Sequence, residues 1–374
     1  MRVRRGPATV TGVGTPGSQE LSPPVSSYQG VDTLSEDISR CSPADRHPAP
    51  DPLLTPRSAE PMRADRVFAY GAAAGLLGDL LLGDPRRGHP VAVFGRAAGA
   101  VERLLWRDDR GRGALHAGVC AGGAVALGAL ASLAVRRSPA ASVALTGVAT
   151  WAVVGGTSLA REARVIGRAL EAGDVEAARA RLPHLCGRDP QALDADGIAR
   201  AVVESVAENT SDAVVGALVW GALGGVPGLV GFRAVNTLDA MVGHKSARYR
   251  RYGWASARLD DVAGWPGARL TAVLAAVAGG NARGAVRAWR TDAVKHPSPN
   301  AGPVEASFAG ALGVRLGGTL SYGGRIEHRP VLNGEGRAVD VGDIERAVRL
   351  SRRVGWLALG VSAVARGLVK GARS

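Results

Sequence analysis

Two uncharged apolar runs, Ala114–Val135 and Ala140–Ala160, limit this chain more than any other feature; only Arg136-Arg137-Ser138-Pro139 separates them. Each holds 21 or more residues. At about 1.5 Å per residue, either run covers about 30 Å, the thickness of a bilayer's hydrocarbon core. In lipid the backbone must satisfy its own hydrogen bonds, so such runs fold as helices. They predict a transmembrane hairpin. The fold class is therefore all-α: a polytopic integral membrane helical protein with amphipathic and re-entrant helices and long polar loops. Weaker apolar runs are Val67–Leu82, Ala213–Phe232, Val262–Gly280 and Val354–Val369. Every run together gives six spans, and the best-formed ones give two to four. Gly95–Trp106 reads as an amphipathic helix at an interface.

The chemistry concentrates in Ala201–Ser246, where ESVAENTSD and AVNTLDAMVGHKS flank the apolar run Ala213–Phe232. Glu204, Glu208 and Asp212 are four residues apart and line one helical face. Like charges at that spacing repel. A solvated acidic face is the plain reading, but Val202, Val203, Val206 and Val214 are not surface neighbours. A hard cation such as Mg²⁺ takes oxygen ligands and would relieve the repulsion. No Lys or Arg lies between Ala201 and Phe232, so a basic partner would come from elsewhere. In the second motif Asn236 and Asp239 share a face, followed by His244 and Lys245.

The apolar run between the motifs is broken by Gly224-Gly225-Val226-Pro227-Gly228. A full span would put the motifs on opposite sides of the membrane. A re-entrant turn at GGVPG would return them to one side, where they can build one site. The second arrangement is expected, since broken helices are tolerated where they line a cavity.

Residues 1–61 are rich in Pro, Ser, Thr and charge, and predict a disordered extension before a membrane-embedded catalytic domain over 62–374. The formal charge is +13, which favours anionic lipid or anionic substrates. With 4% aromatics and no zinc-finger spacing, nucleic acid is not an expected partner. Cys41, Cys120 and Cys186 are scattered, which argues against a disulfide framework or zinc site. Asp84 and His89 sit in a Pro-pinned loop. Further on, Lys295-His-Pro-Ser-Pro-Asn-Ala-Gly-Pro-Val-Glu305 predicts a helix capped by Gly302, with Pro303 at its first position and Glu305 at its third. Free N–H groups at such a start suit a phosphate.

The chain lacks GxxxxGK[ST], GxGxxG after a strand, GxSxG and HExxH. Its motifs run in the order GDPRRGHPVAVFG, ESVAENTSDA, RAVNTLDAMVGHKS, GWASARLDDVA and KHPSPNAGPVEASFAGALGVRLGG. They closely resemble those of the adenosylcobinamide-phosphate synthase (cobinamide synthase) family, from Val67 to about Val369. The resemblance implies an integral membrane, all-helical enzyme of cobalamin biosynthesis. It would join adenosylcobyric acid, a corrinoid, to aminopropanol or its O-phosphate, with MgATP as energy source. Amide formation needs an activated carboxylate, most simply an acyl phosphate, and phosphoryl transfer asks for Mg²⁺ and cationic clamps.

On that reading Glu204, Glu208 and Asp212 hold the metal, and Asp239, His244 or His296 is the base that deprotonates the amine. Lys245, Arg248 and Lys295 are the expected phosphate clamps. Asp84, His89, Asn209 and Asn236, with Ser298, Asn300 and Glu305, complete the expected substrate-binding set. The protein is expected in the cell membrane, multi-pass, with its active loops cytoplasmic, among lipid and other membrane enzymes of the corrinoid pathway. A non-catalytic transporter or sensor on the same scaffold, and a soluble helical enzyme, are the competing readings.

Overall fold

The computed structural model describes residues 64–84, 88–187, 189–244, 246–322 and 325–371, with only the backbone given for 319–328 and 369–371. All of the description below concerns the unit Ala59–Ser374. The extension expected over 1–61 and the predicted clamp Lys245 lie outside the described residues.

Local chemistry sets the first helices. α1 is Ala64–Leu82. α2, Pro90–Leu105, starts where His89 Nδ1 accepts the Val91 N–H at 3.2 Å, with proline next in line. α3, Arg110–Val135, is capped by Asp109, which accepts the Arg112 N–H at 2.9 Å. Ser138 caps α4, Pro139–Val153, by accepting the Ala141 N–H, and Pro139 needs no N–H partner at that position. The RRSP stretch is thus a tight helix–helix connection, as the sequence predicted.

Two stretches among the described residues, Arg110–Val135 and Pro139–Glu171, are long and apolar enough to cross a membrane. The second contains a break. Val154 is extended, so α4 ends at Val153 and the amphipathic α5, Gly156–Glu171, follows. The uncharged run to Ala160 therefore belongs to two helices. Each arm of the expected hairpin also packs chiefly on another helix. Gly71 and Gly75 of α1 bring its backbone against Thr146 and Thr150 of α4. Across from α3, Gly128 meets Pro227 and Val230, and Gly231 meets Val125. α3 keeps Leu127 70%, Leu130 63% and Leu133 56% exposed, an apolar face left uncovered by the described residues.

After the short α6, Val175–Arg181, the chain enters its central helical hairpin. The first arm is α7, Ala195–Thr210, a π turn at Ser211–Val215, then α8, Gly216–Gly224. Gly225, at φ 66°, reverses the chain. The second arm is α9, Val226–Leu238, ending in a π turn at Asp239–Gly243. The arms touch backbone to backbone. A Cβ on Gly228 would lie 2.0 Å from the Trp220 carbonyl oxygen, and one on Gly216 would lie 2.2 Å from the Phe232 ring. Arg366 closes the tip, donating from Nη1 to the Ala222 carbonyl at 2.8 Å.

From the motifs to the tip each arm is about 20 Å, short of the about 30 Å a span needs. The chain thus reverses at GGVPG, and the two motifs lie at one end of the hairpin.

α10, Trp254–Ala278, α11, Ala282–Asp292, α12, Ala301–Leu312, and α13, Gly342–Gly371, pack around this hairpin. α12 is buried along its whole length. The fold is all-α as expected, with one small addition. β1, Leu316–Tyr322, and β2, Arg325–Leu332, form an antiparallel ribbon between α12 and α13.

Candidate active site

The two π turns begin at Ser211 and Asp239, at the same end of the hairpin. A π turn takes an extra residue into the helix, and such turns recur at functional sites. Here they bring Asp212 and Asp239 close enough to each other and to Asp260 of α10 for their charges to interact. Burial pushes the Asp212 carboxyl well above its ordinary range, and Asp260, Glu208 and Asp239 push it further. Asp239 is raised to about 6, by burial first and then by Asp261 and Glu208, with His244 opposing. Asp260 is raised to about 7, by burial and by Asp239, while a hydrogen bond from Asn236 opposes. Glu208 is exposed at the rim.

Neighbouring residues fix these acids. Gly243 lets Asp239 fold back over the turn, because a Cβ there would lie 1.8 Å from Asp239 Oδ1. Asn236 Nδ2 donates to Asp260 Oδ1 at 3.4 Å, and Arg233 Nη1 donates to Asn236 Oδ1 at 3.4 Å. The Arg233 guanidinium feels both Asp212 and Asp84. Among the described residues it is a basic partner for Asp212, one residue beyond the interval that contains no Lys or Arg. His89 Nε2 lies 3.4 Å from Asp84 Oδ1, which brings the first motif to the edge of the same site.

α12 joins the site through Asn300, the residue just before its first turn. Asn300 Nδ2 donates to the Asp261 carbonyl at 2.9 Å and its Oδ1 accepts from Arg269 at 2.9 Å. Gly264 permits this, since a Cβ there would lie 2.6 Å from Asn300 Nδ2. Pro266 supplies no N–H to α10, and the nearby Asp261 and Ala263 carbonyls take side-chain donors, Asn300 and Trp220.

A family model described as CobD/Cbib protein matches residues 72–351, which spans every element of this site. The chain belongs to the CobD/Cbib family. The "Cobalamin biosynthesis protein CobD" of Mycobacterium tuberculosis (strain ATCC 25618 / H37Rv) is 56% identical over 292 residues, covering 76% of this chain and 92% of that protein. The protein of the same name from Chromobacterium violaceum is 44% identical over 292 residues, with coverages of 75% and 91%. That of Stutzerimonas stutzeri (strain A1501) is 44% identical over 288 residues, with 76% and 92%. No solved structure matches the chain. CobD/Cbib membership gives this chain a role in cobalamin biosynthesis.

Within this CobD/Cbib fold the predicted residues divide into groups. Glu208, Asp212, Asn236 and Asp239 converge, with Asp84 and His89 at the edge. Glu204 does not join them. Its Oε1 accepts the Gly317 N–H at 2.7 Å in the core, so the three-acid stripe is split between two environments. His296 and Glu305 sit near Glu204, with Nε2 and Oε1 3.9 Å apart and the side chains 3% and 2% exposed. His296 Nδ1 lies 3.1 Å from the Ser298 nitrogen and 3.4 Å from the Ser298 carbonyl oxygen. Burial holds this imidazole below its ordinary pKa.

Other predicted residues have structural partners. Lys295 Nζ donates to Asp292 Oδ1 at 2.7 Å, and Asp292 Oδ2 accepts the Asn333 N–H at 2.9 Å. Arg248 donates to Glu102 at 3.3 Å and stacks over Trp106. Asn209 donates to the Ser205 carbonyl at 2.9 Å. His244 is exposed, edge-on to Tyr249. α12 begins two residues before the predicted start. Ser298 Oγ accepts the Ala301 N–H at 3.1 Å, so that helix end is already part-satisfied.

Arg233, Asp260 and Asp261 are the site residues the sequence reading passed over. GWASARLDDVA carried the signal, an acidic pair at the head of an apolar helix. Among the described residues, no three His, Cys, Asp or Glu side chains are drawn together closely enough to hold a metal ion by themselves.

Proposed function

We propose that this protein catalyses the ATP-dependent amide ligation of adenosylcobyric acid with aminopropanol or its O-phosphate, at the end of the central hairpin. The observation that carries the reading is the convergence of Glu208, Asp212 and Asp239 with Asp260, from three separate motifs. The first chemical step transfers the γ-phosphoryl group of ATP to the corrinoid carboxylate and releases ADP. The amine then attacks the acyl carbon, phosphate leaves, and a base takes the surplus proton.

An oxygen-only donor set fits Mg²⁺. That ion usually keeps water and phosphate oxygens in its sphere, so two protein carboxylates suffice. Glu208 and Asp212 are the proposed holders, and bound Mg²⁺ would neutralise phosphate charge. Asp239, raised to about 6, is suited to the proton transfer. His296 is not, because it is buried beside Glu305 and Glu204, apart from these acids. Asp84, His89 and Asn236 frame the substrates, and Arg233 holds the acids in register.

The exposed apolar faces of α1, α3, α10 and α13 support a multi-pass membrane protein. The site is read as opening to the cytoplasmic side, where ATP is. The acids cluster at the hairpin's end rather than along its arms, which favours an enzyme over a transporter. The test is an assay of detergent-purified protein with adenosylcobyric acid, MgATP and aminopropanol phosphate, read by product mass. A product of condensed mass, dependent on ATP, supports the reading. Its absence from folded protein refutes it.

A further inference from the structure

The corner between α2 and α3 docks on the segment 246–253, which links the π turn of Asp239 to α10. Gly113 of α3 lies against that segment, where a Cβ would stand 1.8 Å from the Tyr252 carbonyl oxygen. The Arg248 guanidinium sits 4.4 Å from the ring centre of Trp106, and that of Arg110 sits 5.4 Å from the ring centre of Trp254. Arg107, Arg250 and Arg251 are exposed on the same two stretches of chain.

The acids nearby offset little of this charge. Glu102 is buried, and it accepts the Tyr249 hydroxyl at 2.8 Å and Arg248 at 3.3 Å. Asp109 is the cap of α3, and Asp108 stands 3.9 Å from Arg251. Among the described residues, none hydrogen-bonds or ion-pairs with the guanidinium of Arg107, Arg110 or Arg250. The result is a cationic collar at the N-terminal end of α3.

An apolar face begins where the collar ends. Leu104 is 84% exposed beside it, and Ala114 and Leu115, one turn beyond Arg110, are also exposed. The face continues through Val119 to Leu127 and Leu130. From Leu115 to Leu130 a helix rises about 22 Å. A partner that meets both parts is anionic at one end and apolar along the rest of its length. Guanidinium forks match phosphate oxygens, and Trp rings settle at the headgroup level of a bilayer. We propose that this collar binds the phosphate headgroup of an anionic phospholipid, with an acyl chain lying along the uncovered face of α3. The headgroup braces the segment 246–253, and so the connection between Asp239 and Asp260.

The proposal rests on reading α3 as a membrane span and not on the ligase reading, so it is tested without substrates. Full-length protein is placed in nanodiscs of phosphatidylcholine alone or with added phosphatidylglycerol, and its thermal midpoint is followed. The midpoint is higher with the anionic lipid by about 2 °C or more, because the headgroup binds only the folded state. Rising salt shrinks the gain. Inorganic phosphate, which carries the charge without the chain, leaves the midpoint in phosphatidylcholine unchanged.

Arg107→Gln combined with Arg250→Gln removes most of the gain and leaves the midpoint in phosphatidylcholine alone as it was. Arg283→Gln combined with Arg290→Gln, an equal loss of charge on α11, keeps the gain. Arg250→Gln by itself loses part of the gain and covers the case in which the double variant fails to fold. Four results overturn the proposal: equal wild-type midpoints in the two lipids, an equal rise with inorganic phosphate, an undiminished gain in the collar variants, or the same loss from the α11 pair. A protein that enters discs of neither composition overturns the membrane reading itself, and the proposal with it.

Discussion

Gly228 lies directly under the carbonyl of Trp220, so close that a Cβ would stand 2.0 Å from the oxygen. This contact lets the arms of the central hairpin close, and the closure brings Asp212 and Asp239 to one end. Gly228→Ala forces the arms apart. The expected cost is about 1–3 kcal/mol, the usual penalty of overpacking. Activity falls with it, while Gly224→Ala, where a Cβ meets nothing within 4 Å, is close to neutral in both. Thermal midpoints and turnover of the two variants check this. Equal behaviour would remove the hairpin contact from the account.

The proposed membrane topology predicts a common side for the site loops. Single cysteines at positions 89, 208, 244 and 296 are expected to label, where reagent reaches them, from the same face of a sealed vesicle. Labelling of 208 and 244 from opposite faces contradicts the re-entrant turn and the composite site together.

The acid cluster predicts two opposed pH effects. Asp239 must be ionised to accept a proton, so turnover rises with pH through a midpoint near the about 6 of this group. Stability runs the other way. Asp260 has its pKa raised from 3.8 to about 7, so the folded state binds the proton more tightly than the unfolded one. Stability therefore falls as pH climbs from about 4 to about 7, and the loss is complete above that window. Asp260→Asn removes this loss. Its midpoint at about pH 8 exceeds that of the wild type by about 2 °C or more. A lower midpoint shows that Asp260 is held as a stabilising anion.

Glu204 separates a structural acid from a site acid. Glu204→Gln keeps an oxygen for the Gly317 N–H and is expected to be mild, with its Mg²⁺ dependence unchanged. Glu204→Ala strands that N–H in the core and costs about 1–3 kcal/mol. A Mg²⁺ response altered in Glu204→Gln returns this residue to the metal set.

These contrasts show what the sequence carried. Spacing placed Glu208 and Asp212 on one face, and GGVPG announced the reversal that brings Asn236 and Asp239 to them. Helical periodicity also grouped Glu204 with them, since it records faces and not what packs on each level. The Gly317 N–H arrives from a ribbon more than a hundred residues away. Asp260 and Arg233 were unremarkable in isolation, and only the packing of α9 and α10 on the first arm gives them meaning. The π turns leave no mark in composition. Lys295 and Arg248 sat in rich motifs, but Asp292 and Glu102 were near enough in the fold to engage them.

The central claim is that the converging carboxylates work through a divalent cation. It is tested by measuring product formation against Mg²⁺ concentration for wild type, Glu208→Gln and Asp212→Asn. Both variants are expected to lose about two orders of magnitude in turnover, the scale of about 3 kcal/mol of transition-state stabilisation. Raised Mg²⁺ partly restores them. If folded variants follow the wild-type curve, the cluster is a structural acid network neutralised by Arg233 and the metal-dependent account is wrong.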